Sequence, residues 1–420
     1  MILLCMTLGC IEEIEIDTSL QVDIDIEQVL IVEATITDEL KDQEILLSRG
    51  SSFANDSTII YERNAIVNIT DNAGSVFNFQ DQGGGRYVSA QPFAARNGGS
   101  YTLSITTEKG EKFVSDQVQS AGVSVMNDLY ARRIVNDEGE EGMAIYVDSS
   151  NPNGDFNNYR YTYEETYKII APNWTASEFE IIRDQTEFIF DENGDVVETL
   201  YPDVRLIPRA QEERVCYNSV ASSDIILSDG LALNESTIKG NLIRFINRDN
   251  AILSHRYSIL VKQFLQSPNA ANFYNTLLQF SQNENVFSAI QPGTIEGNIR
   301  PIGGREEFVI GYFEVASVAE TRLFFNYEDF FPEEPLPPYF GTVNCDRLIA
   351  PLLGNPLRDG PTVLECPQDL ISQLKLNQLE FANNNATPPN TCEGPYFVTQ
   401  RACGDCTVLG SNIVPEFWTE

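Results

Sequence analysis

From about residue 24 onward the chain breaks into short runs in which apolar and polar positions alternate, parted by turn residues. That period of two is the mark of strands half-buried on a core. Val29-Leu30-Ile31-Val32-Glu33-Ala34-Thr35-Ile36 opens the series. Ala65, Val67 and Ile69 then share one face and Ile66 and Asn68 the other, before an Asp71-Asn72-Ala73-Gly74 turn and the run Val76-Phe77-Asn78-Phe79. A second turn at Gln82-Gly83-Gly84-Gly85 leads to Arg86-Tyr87-Val88. Tyr101, Leu103 and Ile105 alternate in the next strand, which Lys109-Gly110 joins to Lys112-Phe113-Val114 as a tight hairpin. About seven strands in roughly 100 residues predict an immunoglobulin-like or transthyretin-like β-sandwich over 24–122.

Beyond it, 123–420 reads as a larger β-rich domain with one or two short helices and a disulfide-prone tail. Asp191-Glu192-Asn193-Gly194-Asp195, between Glu187-Phe188-Ile189-Phe190 and Val196-Val197, predicts an Asn-Gly hairpin. One helix is predicted after Ser267, which can cap it, with Pro268 in its first turn. Phe273, Leu277 and Phe280 then share a face, with Tyr274 and Leu278 beside them. The fold class is therefore mainly β.

The first residues differ from all of this. Met1–Gly9 is an apolar run ending in a small residue before Cys10, too short to span a bilayer and followed at once by Glu12, Glu13, Glu15 and Asp17. It resembles the end of a bacterial lipoprotein signal peptide. No basic residue precedes it and Thr7 stands where a leucine is usual, so the natural start is expected a few codons upstream. On this reading 1–9 is a signal remnant, Cys10 is the acylated first mature residue, and 10–23 is a solvated acidic tether. No later run has 18 unbroken apolar residues, so the protein is expected to be tethered to a membrane. The acids after Cys10 resemble the surface-export signal of Bacteroidota lipoproteins. Asp17-Thr18-Ser19 and Asp56-Ser57-Thr58 resemble that phylum's O-glycosylation pattern.

Charge narrows the partners. The chain has 420 residues and a net charge of −35, without a basic stripe, which argues against nucleic-acid partners. A single histidine, His255, lies in Ser254-His255-Arg256-Tyr257-Ser258-Ile259-Leu260-Val261, a strand entering a core, and is read as structural. Imidazole-based catalysis and zinc chemistry thus lose their usual residue. No catalytic residue, metal ligand set or cofactor is assigned. Ser149-Ser150-Asn151-Pro152-Asn153-Gly154-Asp155 has the oxygen density of a calcium loop, but Arg160 stands where an EF-hand closes with Glu, so a turn is preferred. Phe331-Pro332-Glu333-Glu334-Pro335-Leu336-Pro337-Pro338-Tyr339-Phe340 is read as an extended surface loop able to offer Tyr339 and Phe340 as contacts.

With Cys5 in the signal remnant and Cys10 lipidated, six cysteines remain: Cys216, Cys345, Cys366, Cys392, Cys403 and Cys406. An even count in an exported chain favours disulfides, whose pairing the sequence leaves open. Cys403-Gly404-Asp405-Cys406 has redox or zinc spacing, yet it lies in a coil-like tail far from the only histidine. Structural disulfides are preferred.

Ordered motifs then give a family resemblance. Leu30–Thr37, Cys216-Tyr217, Ile238-Lys239-Gly240, Ile243–Ile246, Tyr257–Gln263 and Phe273-Tyr274 are followed by Asn285-Val286-Phe287, Gln291-Pro292, Glu296-Gly297-Asn298-Ile299, Val309–Phe313, Cys403–Cys406 and Pro415-Glu416-Phe417-Trp418. Together they resemble the Bacteroidota family termed domain of unknown function 4249, along nearly the whole mature chain. The resemblance implies an outer-membrane lipoprotein beside a TonB-dependent transporter, in an accessory or substrate-capturing role, and carries over no catalytic residues. Gly297-Asn298 and Gly311 are read as turn or packing residues, and Tyr312, Phe313 and Trp418 as core. The leading expectation is accordingly a non-catalytic surface lipoprotein serving a transporter. A stand-alone glycan- or peptide-binding or adhesion module is the alternative, and a carboxylate-based envelope hydrolase, needing two acids in one cleft, a remote third.

Overall fold

The alternation seen in the sequence is realised as burial. In Ser100–Thr106, Tyr101, Leu103 and Ile105 are buried and their neighbours are not, and Val67 and Ile69 are buried while Ile66 is 66% exposed. The computed structural model describes residues 29–50, 59–120, 122–151, 158–228, 237–282, 295–303, 308–341, 343–353, 369–385 and 393–420. Cys10, the tether, both Asp-Ser/Thr patterns, most of the calcium-like loop, Cys366 and Cys392 lie outside these residues. The chain is mainly β, with three short helices among the described residues, Pro268–Gln282, Leu370–Lys375 and Arg401–Gly404, against the one or two expected.

Two units divide the chain. The first comprises the residues up to Ser120 together with Asn272–Ala316, and the second Ala121–Ala271 with Ser317–Glu420. The chain passes from the first unit to the second at Ser120 and Ala121, and the segment 272–316, read from the pattern as part of 123–420, groups with the first. The reason is a strand pairing. Leu30–Thr37 pairs antiparallel with Glu44–Arg49 on one side and parallel with Val309–Ala316 on the other, with Val32 opposite Gly311. A parallel neighbour needs a crossover, so it must come from far along the chain, and no local pattern announces it.

In the first unit an antiparallel path runs from Glu44–Arg49 through Arg86–Ser89, Val76–Asp81, Ile66–Asp71, Ser100–Thr106 and Lys112–Ser115 to Ile299–Pro301. It is sandwich-like, enclosing Leu30, Ile36, Ile45, Leu47, Tyr87 and Phe313 in one core. Turn chemistry agrees: the Asp71 carboxylate accepts from the Ala73 and Ser75 amides while Gly74 takes φ +86°, and Gly110 turns the Lys112 hairpin at φ +83°.

The family motifs in this unit serve packing. A Cβ on Gly297 would fall 1.8 Å from the Gly311 carbonyl oxygen. Asn298 brackets Phe313, donating from Nδ2 to its carbonyl at 2.8 Å and accepting from its amide at 2.7 Å. A side-chain amide here replaces a strand neighbour's peptide group. In the helix, Phe273 is buried against the Tyr312 ring at 5.4 Å, and Ser267 Oγ caps by accepting from the Ala270 amide.

The second unit is built from two facing sheets. One runs Val215–Ala221, Asn158–Ile170, Arg256–Gln266 and the Ser317–Asn326 half of the strand Val309–Asn326. The other places Glu141–Ser150 between Val125–Val135 and Thr237–Asn247. Their core contains Met143, Ile145 and Val147 from one sheet and Tyr159, Tyr161, Tyr257, Ile259 and Val261 from the other. Tyrosines this deep bring polar groups with them. Glu165, buried on Asn158–Ile170, accepts from Tyr257 Oη at 2.7 Å and faces Arg244 at 3.4 Å. A smaller sheet of Leu348–Pro351, Glu393–Gln400 and Leu379–Asn384 lies near the carboxyl end.

Disulfides join Cys216 to Cys406 and Cys345 to Cys403. The Cys403/Cys406 pair is therefore split between two distant partners. It does not lie in coil, as its Gly-Asp centre had indicated. Cys403 sits in the helical turn Arg401–Gly404, and Asp405 caps the following turn by accepting from the Thr407 amide. Trp418 packs on Tyr217 and Phe324, with ring centroids at 4.9 and 5.8 Å, so the Cys216-Tyr217 and Pro415–Trp418 motifs meet.

Candidate interaction site

Alternating apolar residues on both sides of an Asn-Gly turn form a hairpin arm in the second unit. Ser177–Arg183 pairs with Asp203–Pro208, and Glu187–Phe190 with Val196–Leu200. At the tip Gly194 adopts φ +86° and the Asp191 carboxylate accepts from the Asn193 and Asp195 amides, which hold it below its ordinary pKa.

The base of the arm is fixed. Phe179 meets Phe381 and Tyr396 edge-on at 5.5 and 5.1 Å. Arg209 is 4% exposed, donates to the Thr175 carbonyl at 3.0 Å and pairs with Glu380 at 2.7 Å and with Glu213. Burial pushes the Glu380 carboxyl above its usual range, an effect that Arg209 offsets in part. Asn173 ties this region to the second disulfide by donating its backbone amide to the Cys403 carbonyl at 2.9 Å.

The distal half is different. Phe188, Ile189, Phe190, Val196 and Val197 are 46%, 41%, 58%, 50% and 61% exposed. Among the described residues this pair of strands hydrogen-bonds to no third strand. Clustered apolar exposure at one place is the surface signature of an interaction site. The hairpin itself was legible in the sequence, but its exposure was not, because apolar alternation ordinarily signals burial.

The other sequence candidates fare variously. In the Pro-rich loop, Phe331 is buried and stacks on Tyr327 at 4.7 Å beneath the guanidinium groups of Arg133 and Arg248. Those arginines pair with Glu141 and Glu334, which straps the loop down: Arg133–Glu334 is 2.6 Å and Arg248–Glu334 2.7 Å. Tyr339 is half-buried and donates to the Ala402 carbonyl. Phe340 lines a shallow depression with Asn247, Asp249, Asn250, Ala251 and Gly341. This depression holds one carboxylate, Asp249, where paired-acid hydrolysis needs two. His255 lies just before the strand Arg256–Gln266, and burial, with Lys168 nearby, lowers its pKa. Sequence reading had no signal for Glu165, one of 62 acids.

Residues 11–322 match the family model described as domain of unknown function (DUF4249). The chain belongs to this family. The matched residues include parts of both units and the entire arm, so the arm lies within the DUF4249 region. None of the curated proteins matches. Among solved structures, one chain described as "Complete structure of manganese lipoxygenase of Gaeumannomyces graminis and partial structure of zonadhesin of Komagataella pastoris" aligns at 9% identity, over 59% of this chain and 91% of that one. Its TM-score of 0.14 carries no argument about the DUF4249 fold.

Proposed function

We propose that this DUF4249 member is a surface-exposed outer-membrane lipoprotein of the Bacteroidota type, held by acyl chains on Cys10. It acts without catalysis as an accessory or substrate-capturing partner of a TonB-dependent transporter. The observation that carries an assembly role is the arm: a rigidly based hairpin offering clustered apolar side chains to solvent on a chain of net charge −35. The Cys10 motif and its acidic tether support the location. Purification in mild detergent tests the reading. A β-barrel transporter should be retained through size exclusion, and recovery of a lone monomer counts against it.

A second reading, a glycan-binding module, is favoured by the depression that combines the Phe340 ring with Asn247, Asp249 and Asn250, since sugars are held by an apolar face with a few polar groups around it. A glycan array separates the two readings, and a hit lost in Phe340→Ala would favour this one.

A further inference from the structure

The arm's distal half is poorly provided for on its own. A two-stranded hairpin alone is marginal in water, and its outer edges present unpaired peptide groups. The register sorts its side chains. Phe188 lies opposite Thr199 and Phe190 opposite Val196 on one face, whereas Glu187 lies opposite Leu200 and Ile189 opposite Glu198 on the other. The first face is apolar and the second carries carboxylates. Asp191, Glu192 and Asp195 add further acid at the tip, and no lysine or arginine occurs between Asp184 and Asp203.

We propose that the arm binds, by strand addition along an open edge, an extended segment of another protein in which apolar and basic residues alternate. A strand added to a hairpin sends successive side chains to opposite faces. Alternation then sends every apolar side chain to the face of Phe188, Phe190 and Val196 and every basic one to the face of Glu187 and Glu198. A second copy of this chain fits badly, because it would bring one acidic arm against another in a protein already at −35. This inference rests on the assembly reading above and adds the chemistry of the partner.

Hydrogen exchange of the full chain, with and without a nine-residue peptide alternating valine and lysine, tests it. Exchange should slow at 187–200, affinity should fall with salt, and Phe188→Ser/Phe190→Ser should weaken binding by about tenfold or more. Both residues are exposed, so the variant is expected to fold. As a second measure, a peptide N-methylated at alternate amides, which blocks edge pairing without altering the protein, should fail to protect the arm. Protection confined to other regions, equal protection by a valine–glutamate or a block-scrambled peptide, or self-association that protects the arm without peptide overturns the proposal. Co-purification distinguishes the two readings: a transporter retained by wild type and by the Phe188→Ser/Phe190→Ser variant alike removes the arm's role and leaves the assembly reading. A wild-type monomer with a peptide-protected arm does the reverse.

Discussion

Arg49 is a buried charge in the first unit. Its side chain is 5% exposed and pairs with Glu62, 9% exposed, at 2.7 Å, and with Glu111. Removing one member of a buried pair strands the other charge, so Arg49→Leu is expected to cost about 3–5 kcal/mol in urea unfolding, and Arg49→Leu/Glu62→Leu to recover much of that loss. The same cluster sets an acid limit. Burial alone would raise the Glu111 carboxyl, but hydrogen bonds from Arg49 and Thr107 outweigh it and hold the pKa below the ordinary 4.5. A depressed carboxyl contributes stability that is complete above its unfolded pKa and disappears as pH falls through the folded one. The urea midpoint should therefore hold from neutral pH down to about 5 and decline below about 4.5, with a shallower decline in Arg49→Leu. None of these partnerships could be read from the sequence, because Arg49, Glu62 and Glu111 come together only when three separate strand regions pack.

At the scale of elements, close approach explains Gly297 and Gly311. Gly297→Ala drives a Cβ against the Gly311 carbonyl, and should lower unfolding stability by about 1–3 kcal/mol. Gly341→Ala, with no atom within 4 Å of the added Cβ, should shift it by no more than about 0.5 kcal/mol. The cysteines give a sharper test. Cys216–Cys406 spans a sequence separation of 190, so its loss as Cys216→Ser/Cys406→Ser should cost about 2–5 kcal/mol. Non-reducing peptide mapping should recover 216 with 406 and 345 with 403, and a 403–406 link would refute the pairing. What the sequence revealed here was local. Tyr101, Leu103 and Ile105 announced their strand, Asn193-Gly194 its hairpin and Ser267-Pro268 its helix, since each signal lies within one element. What it concealed depended on distant chain: the parallel partner of Leu30–Thr37 at Val309–Ala316, the disulfide pairing, and the solvent around Phe188 and Phe190.

For the whole molecule the decisive question is where so acidic a chain works. Family membership covers residues 11–322 and so begins directly after Cys10. An acyl chain contributes about 0.8 kcal/mol per buried methylene, so one chain binds a bilayer only marginally and stable residence takes more than one. A lipidated amino terminus with several chains would meet that requirement, and the acidic residues from Glu12 to Asp17 would keep the tether in solvent. At the proposed location the tether would also raise the local concentration of the arm for a membrane partner, so that modest contacts at Phe188 and Phe190 would suffice for assembly. If Cys10 carries the proposed acyl chains, Cys10→Ser removes them and leaves every described residue unchanged. Expressed behind a bacterial lipoprotein leader, the chain should partition into the detergent phase as wild type and into the aqueous phase as Cys10→Ser, with equal urea midpoints. Recovery of a membrane partner should fall with the variant even though the arm is intact. Aqueous partitioning of the wild type, or an unmodified Cys10 thiol by mass spectrometry, would remove the basis for the proposed location.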